Sequence, residues 1–290
     1  MTSEPPRPAA PSPFSRLVRV GRTGSTNADV ARALREDPAA AARAWPHLSV
    51  LVAHHQAAGR GRAGRGWETP PGTSLTASVV LRPGVPLARW SWLGLLGGLA
   101  VARAVHARTG LATGLKWPND VLVLGSGGPD VPGWGTARKV AGVLTEVVHA
   151  VATDDDAAAP VAVVGLGLNV EQAAADLPVP WATSLAACGV PAADRDLDAL
   201  LGAVGVELTA LLATFEAADG DARRSGLAAA VTAACATVGQ EVRVLVPGGG
   251  ELIGLATGLA DDGALVLAPA DGPERHVTVG DVGHIRTVSG

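Results

Sequence analysis

The stretch Gly59-Arg-Gly-Arg-Ala-Gly-Arg-Gly-Trp-Glu-Thr-Pro-Pro-Gly72 decides what kind of fold this chain can have. Gly59, Gly61 and Gly64 satisfy the G-x-G-x-x-G pattern of a dinucleotide-binding turn. That turn works only when a helix follows at once and points its N-terminus at the pyrophosphate. Here Trp67-Glu-Thr-Pro-Pro-Gly72 follows, and its prolines and glycine cannot open a helix. A Walker A loop also fails, because no Gly-Lys-Ser/Thr is present. What remains is three guanidinium groups, Arg60, Arg62 and Arg65, on a backbone free to bend around a ligand. Guanidinium forks suit phosphate and carboxylate oxygens. An RGG-like nucleic-acid tract is disfavoured, because such tracts repeat in low-complexity regions. This segment is a single copy between two strand patterns, Ser49–Ala53 and Thr73–Leu81.

Outward from that loop the chain alternates helices and strands. Leu17–Val20 reads as a strand, and Gly24-Ser-Thr-Asn27 supplies cap residues for a helix to about Trp45, broken at Pro38. Pro86–Arg108 reads as a helix closed by Gly110. Strand patterns follow at Leu111–Trp117, Val121–Leu124, Lys139–Val148 and Val161–Val170, joined by links at 125–137 and 152–160 expected to be mobile. Leu197–Glu216 and Ala222–Ala236 are spaced as helices. Beyond Val238, five short β-prone runs within some 50 residues suggest a small closed barrel. The expected organisation is a disordered tail over 1–13, a main domain over 14–236 and a barrel over 237–290.

Composition narrows the class. The 290 residues are 48% hydrophobic and 17% charged, which is globular, and a net charge of -4 argues against bulk nucleic-acid binding. The longest apolar stretch, Trp90–Val105, is too short to span a membrane. Cys188 and Cys235 share no metal or redox spacing, so a reducing cytoplasm is the simpler setting. Of 23 basic residues only Lys116 and Lys139 are lysine, and the only asparagines are Asn27, Asn119 and Asn169. All five lie in motif-like segments. Lys116-Trp-Pro-Asn-Asp120 sets a point charge at a strand end beside a rigid proline turn, with Asp120 read as an Asx-turn residue. Lys139-Val-Ala-Gly-Val-Leu-Thr-Glu146 alternates, with Gly142 allowing close approach. In Val163-Val-Gly-Leu-Gly-Leu-Asn-Val170, Gly165 and Gly167 bare one sheet face, and Asn169 projects from the same face. Tight packing accounts for the two glycines as well as a ligand does.

Taken together, Ser25-Thr-Asn, Gln56-Ala-Ala-Gly-Arg-Gly-Arg, Lys116-Trp-Pro-Asn-Asp, Lys139-Val-Ala-Gly-Val-Leu-Thr-Glu and Gly165-Leu-Gly-Leu-Asn resemble the biotin protein ligases, over roughly residues 16–235. The resemblance implies an α+β fold: a mixed sheet with flanking helices like that of class II aminoacyl-tRNA synthetases and biotin synthetases, plus a C-terminal SH3-like barrel. It implies that biotin and MgATP are converted to biotinyl-5′-AMP and pyrophosphate, and that biotin then passes to a lysine of a biotin carboxyl carrier domain. Ser25, Thr26, Asn27 and Gln56 would hold the ureido ring. Arg60, Gly61 and Arg62, with Gly59 shaping the turn, would cover the carboxylate and the adenylate phosphate. Lys116 would bridge carboxylate and α-phosphate, which makes Lys116, Arg60 and Arg62 the expected catalytic set. Arg65 and Trp67 would serve the nucleotide, Asn169 would face adenine, and Gly142 and Gly165 would leave room for ligand. Trp181-Ala-Thr-Ser-Leu185 resembles the family's loop near the adenylate.

The chain departs from the family pattern at Ala63, where many relatives carry a further basic residue, at His54-His55, and in the 125–137 insertion, expected as a hairpin extension. No carboxylate pair names magnesium's ligands. A lipoate or octanoate transfer enzyme shares the fold class but not the Arg/Gly loop with Ser-Thr-Asn. A DNA-binding repressor of the family would carry a winged helix for which residues 1–13 are too short. A noncatalytic binding module would lack biotin-dependent ATP–pyrophosphate exchange.

Overall fold

Ser25 shows how this chain starts its elements. The computed structural model describes residues 12–125, 128–149, 159–246 and 248–284. The first strand, β1 (Arg16–Thr23), ends two residues before Ser25, whose hydroxyl accepts from the Ala28 N–H and caps α1 (Thr26–Glu36). Pro38 breaks that helix as expected. Asp37 then caps α2 (Pro38–Ala44) by accepting from the Ala40 N–H at 2.8 Å.

The main sheet is built from β1, β2 (Ser49–Gln56), β5 (Ser74–Leu81), β6 (Thr113–Lys116), β7 (Asp120–Val123), β8 (Arg138–Val148) and β9 (Val161–Asn169). The order across it is β1-β2-β5-β9-β8-β7-β6. Only β1–β2 is parallel, so the sheet is mixed. Between β2 and β5 the Arg/Gly loop carries a two-residue ladder of β3 (Gly59–Arg60) and β4 (Gly66–Trp67) around a 3-10 turn at Arg62–Gly64.

The two faces of β9 explain the layering. Its even residues, Val164, Leu166 and Leu168, join the large core with α3 (Leu93–Thr109) and α4 (Leu197–Glu216). Its odd residues Val161 and Val163 pack under α1 with Val30, Ala31 and Leu34. Further along that same face, Gly165 lies against Asn27 at the start of α1, and Gly165, Gly167 and Asn169 border a cavity. Three helices, α3, α4 and α5 (Leu227–Ala234), therefore back the sheet on one side, and α1, with α2 beside it, covers only part of the other. By length and apolarity α4 would suffice to cross a membrane, yet it buries Leu200, Leu201, Val204, Leu208, Leu211, Leu212 and Phe215 in this core.

Some expected elements are trimmed. The expected helix from Pro86 begins as a 3-10 turn at Leu87–Trp92, and α3 ends at Gly110 with φ +70°, a left-handed cap suited to glycine. The second late helix is shorter than its apolar spacing suggested: α5 spans Leu227–Ala234, because Gly226 at φ +76° interrupts the run. The expected tail over 1–13 lies outside the described residues except for 12 and 13, and most of the 152–160 link lies outside them too.

All five late strands form: β10 (Glu241–Val246), β11 (Gly250–Leu259), β12 (Leu265–Ala268), β13 (Arg275–Val277) and β14 (Asp281–His284). They make one antiparallel sheet in the order β13-β12-β11-β10-β14. No ladder joins β13 to β14 among the described residues. The link Thr278-Val-Gly280 carries the chain straight from the edge at β12 to the edge at β10. This sheet is fastened to the main one by tryptophans. Trp92 Nε1 donates to the Asp261 carbonyl at 2.8 Å, and Trp117 Nε1 to the Gly263 carbonyl at 3.0 Å. Thr237 Oγ1, fully buried, accepts from the Trp117 N–H at 3.1 Å.

Candidate active site

A cavity of about 460 Å³ opens over the bare part of the sheet. One end is neutral and buried. Ser25, Thr26, Asn27 and Gln56 all line it. Gln56 Oε1 accepts from both the N–H of Thr26 (2.8 Å) and its hydroxyl (3.0 Å). Asn27 Nδ2 donates to the Leu144 carbonyl (3.1 Å) and to Glu146 Oε2 (2.8 Å). Ser78, fully buried on β5, lies within hydrogen-bond distance of Thr26 Oγ1 (2.7 Å) and Asn27 Oδ1 (2.6 Å). The fold thus locks the rotamers of this polar end before any ligand arrives. Gly165 is required here, since a Cβ on it would stand 2.5 Å from Asn27 Oδ1.

The other end is cationic. Arg60, Arg62, Arg65 and Lys139 line it, with Gly61 between the arginines. Gly61 closes the turn by donating its N–H to the Arg65 carbonyl at 2.7 Å. Ala63 sits at the tip with φ +52°, a left-handed conformation that costs a residue with a Cβ. Burial pulls the Arg62 guanidinium below its usual range, against the attraction of Asp281. Arg60 faces Glu146 at 3.5 Å. Arg65 reaches Asp281 of β14 at 2.6 Å, across 216 residues of chain. Gly59 pairs with Trp67, where a Cβ would meet the Trp67 carbonyl at 2.3 Å. Trp67 lies over the cross-strand pair Gly142–Gly167: a Cβ on Gly167 would stand 2.6 Å from the indole and one on Gly142 at 3.5 Å. Its Nε1 is buried with no hydrogen-bond partner among the described residues. Asn169 borders the cavity, and its Nδ2 donates to the Thr183 carbonyl at 3.0 Å.

Lys116 is not among the residues lining this cavity, contrary to the sequence expectation. It is 3% exposed, its ammonium donates to the Gly133 carbonyl at 3.2 Å, and it lies 3.4 Å from the ring centre of Trp134. Burial pushes its pKa down to about 8, with Asp120 and Asp281 opposing and Lys139 and Arg65 assisting. The lysine that reaches the cavity is Lys139, held by Asp120 Oδ1 at 2.6 Å and 5.6 Å from the Trp67 ring. Asp120, the first residue of β7, is therefore the ion-pair partner of Lys139.

Strict alternation hides Lys139, because it sets residues 139 and 142 on opposite faces. The β7–β8 ladder slips between Val121 and Leu122, whose partners are Ala141 and Lys139, so β8 carries one extra residue. This bulge swings Lys139 onto the face of Gly142, where a Cβ would lie 3.3 Å from its Nζ. Ser78 was missed for a different reason: every residue of β5 is buried, so the strand has no alternation to read.

Residues 35–168 match the biotin/lipoate A/B protein ligase family, and residues 237–284 match the biotin protein ligase C terminal domain. The chain belongs to the biotin protein ligase family. It is 39% identical over 282 residues to the biotin–[acetyl-CoA-carboxylase] ligase of Mycobacterium tuberculosis (strain H37Rv), covering 96% of this chain and 92% of that one. It is 28% identical to the bifunctional ligase/repressor BirA of Escherichia coli K12, covering 75% of this chain and 61% of that one. The biotin protein ligase of Aquifex aeolicus in complex with biotin and ATP superposes with a TM-score of 0.67 at 25% identity, covering 94% of this chain and all of that one.

Proposed function

We propose that this protein activates biotin with ATP, forming biotinyl-5′-AMP and pyrophosphate, and transfers the biotinyl group to a lysine of a biotin carboxyl carrier domain of an acyl-CoA carboxylase. The observation that carries the reading is a single cavity with a locked, neutral hydrogen-bonding end and a cationic end. A ureido ring needs neutral donors and acceptors in fixed positions, which Ser25, Thr26, Asn27 and Gln56 offer. A carboxylate meeting a triphosphate brings anions together, which Arg60, Arg62, Arg65 and Lys139 offset. The names of the relatives and the biotin and ATP of the Aquifex aeolicus complex support the same assignment.

In the first step a biotin carboxylate oxygen attacks the α-phosphorus. The bond from that phosphorus to the bridging oxygen breaks, and pyrophosphate leaves. Lys139, already oriented by Asp120, faces the position where negative charge gathers. In the second step the carrier's neutral lysine amine attacks the acyl carbon. AMP leaves, and the surplus amine proton goes to water. Trp67 and the Arg/Gly loop lie over the glycine floor and would shield the mixed anhydride from hydrolysis. Asn169 and Trp181 border the region we give to adenine. Magnesium, when bound, would offset negative charge on the triphosphate. We place the protein in the cytoplasm, in keeping with its free cysteines.

Biotin-dependent exchange of labelled pyrophosphate into ATP tests the reading. Exchange that requires biotin, followed by labelling of a carrier fragment, is expected. Purified protein that catalyses neither would end it.

A further inference from the structure

The insertion between β7 and β8 does not project as a free hairpin. Its described part, residues 128–137, folds back against the molecule around Arg138. That buried guanidinium donates to the carbonyls of Gly135 (2.9 Å), Ala137 (2.9 Å) and Pro129. Val131 and Gly135 pair as an isolated bridge, which leaves Gly133 and Trp134 at the turn. The Gly133 carbonyl accepts from Lys116 Nζ and from the His284 N–H of β14, each at 3.2 Å. The Trp134 ring receives the Lys116 ammonium and stacks on Trp181, with centroids 5.9 Å apart and planes 8° from parallel.

Trp181 lines the cavity but belongs to no helix or strand. Its main chain is held to β8: the Lys139 N–H donates to the Trp181 carbonyl at 2.7 Å, and the Thr183 N–H to the Lys139 carbonyl at 2.8 Å. Those bonds fix where the residue sits, not how its indole is turned. The ring plane is set by the stack on Trp134, which is itself held by the arginine-centred turn.

We propose that Trp134 is a positioning residue for the nucleotide: it orients the Trp181 indole as a wall of the ATP side of the cavity, and through Gly133 it ties that wall to the C-terminal sheet. This rests on the nucleotide reading given above. The neutral end of the cavity, at Thr26, Asn27 and Gln56, has no part in this linkage, so nucleotide and biotin recognition should separate.

Steady-state pyrophosphate exchange on the full chain tests it. Trp134→Ala is expected to raise KM for ATP about five- to tenfold, with KM for biotin unchanged. Trp134→Phe, which keeps a flat ring, should recover most of the loss, and Trp134→Leu should not. If the alanine variant fails to fold, the leucine variant, which keeps apolar bulk, makes the same comparison. An ATP KM within twofold of the unaltered protein, or equal rises for ATP and biotin, overturns the proposal. Absence of exchange in the unaltered protein would instead overturn the functional reading.

Discussion

The two ends of the cavity solve opposite problems. At the neutral end, Thr26, Asn27, Gln56 and Ser78 satisfy one another behind a buried wall, and their geometry is paid for in folding. At the cationic end, Arg60 and Arg65 are about half exposed and each leans on a carboxylate, Glu146 and Asp281. Such partners at the surface contribute about 0–1 kcal/mol and can be exchanged for a ligand anion. One end is therefore made to recognise and the other to be rearranged. Within the cationic end itself, the two lysines divide in the same way: Lys139 faces the cavity, while Lys116 is enclosed by Gly133 and Trp134.

The contrast can be broken by substitution. The largest effect is expected for Lys139→Ala, which removes the only lysine facing the cavity: biotin-dependent exchange should fall about 100-fold or more. A rate within threefold of normal would mean that the arginines suffice. Next comes Arg62→Gly. Loss of one charge-assisted contact should speed release of biotinyl-5′-AMP about tenfold or more while biotin affinity changes less than twofold, read by stopped-flow dissociation. Unchanged release would remove Arg62 from adenylate retention. Gly165→Ala probes the other end. Its new methyl meets the Asn27 amide, so KM for biotin should rise about tenfold with little change for ATP. A matching loss for both substrates would show that the ends are not separate.

The smallest effect concerns Lys116 and sharpens the comparison of the lysines. Its pKa is lowered by burial to about 8, so between there and its unfolded value near 10.4 the unfolded chain binds more protons than the native one. Stability from this group should therefore rise with pH across that window and level off above it. Lys116→Met should flatten the rise in urea unfolding measured from pH 7.5 to 10.5. An unaltered slope would show that the ammonium is not enclosed.

Much of this was legible in the residues themselves. β10 and α4 fall on their expected bounds, and β2, β5 and β9 fall close to theirs, because breakers such as Pro70-Pro71-Gly72 and caps such as Asp196 bracket runs with clear apolar spacing. The glycine face of β9 followed from a period of two. What escaped reading was nonlocal. The bulge that turns Lys139 is defined by its partner strand, Ser78 lies in a strand buried on both sides, and the Trp134–Trp181 stack joins two irregular segments with no shared pattern. A charge at a strand end suggests a ligand, and sequence alone therefore sends Lys116 to the cavity. Its actual surroundings come from the insertion, whose turn is organised by Arg138 rather than by any recognisable turn motif.

The surplus residue in β8 makes chain length at this point as consequential as composition. Pairing the same residues without the bulge would restore an even pleat and send the ammonium through the sheet toward the oily layer beneath α3, leaving Asp120 without its counter-ion. A transplanted copy of this strand that kept every side chain but lost that single step would carry the same letters and present the wrong one to the substrate.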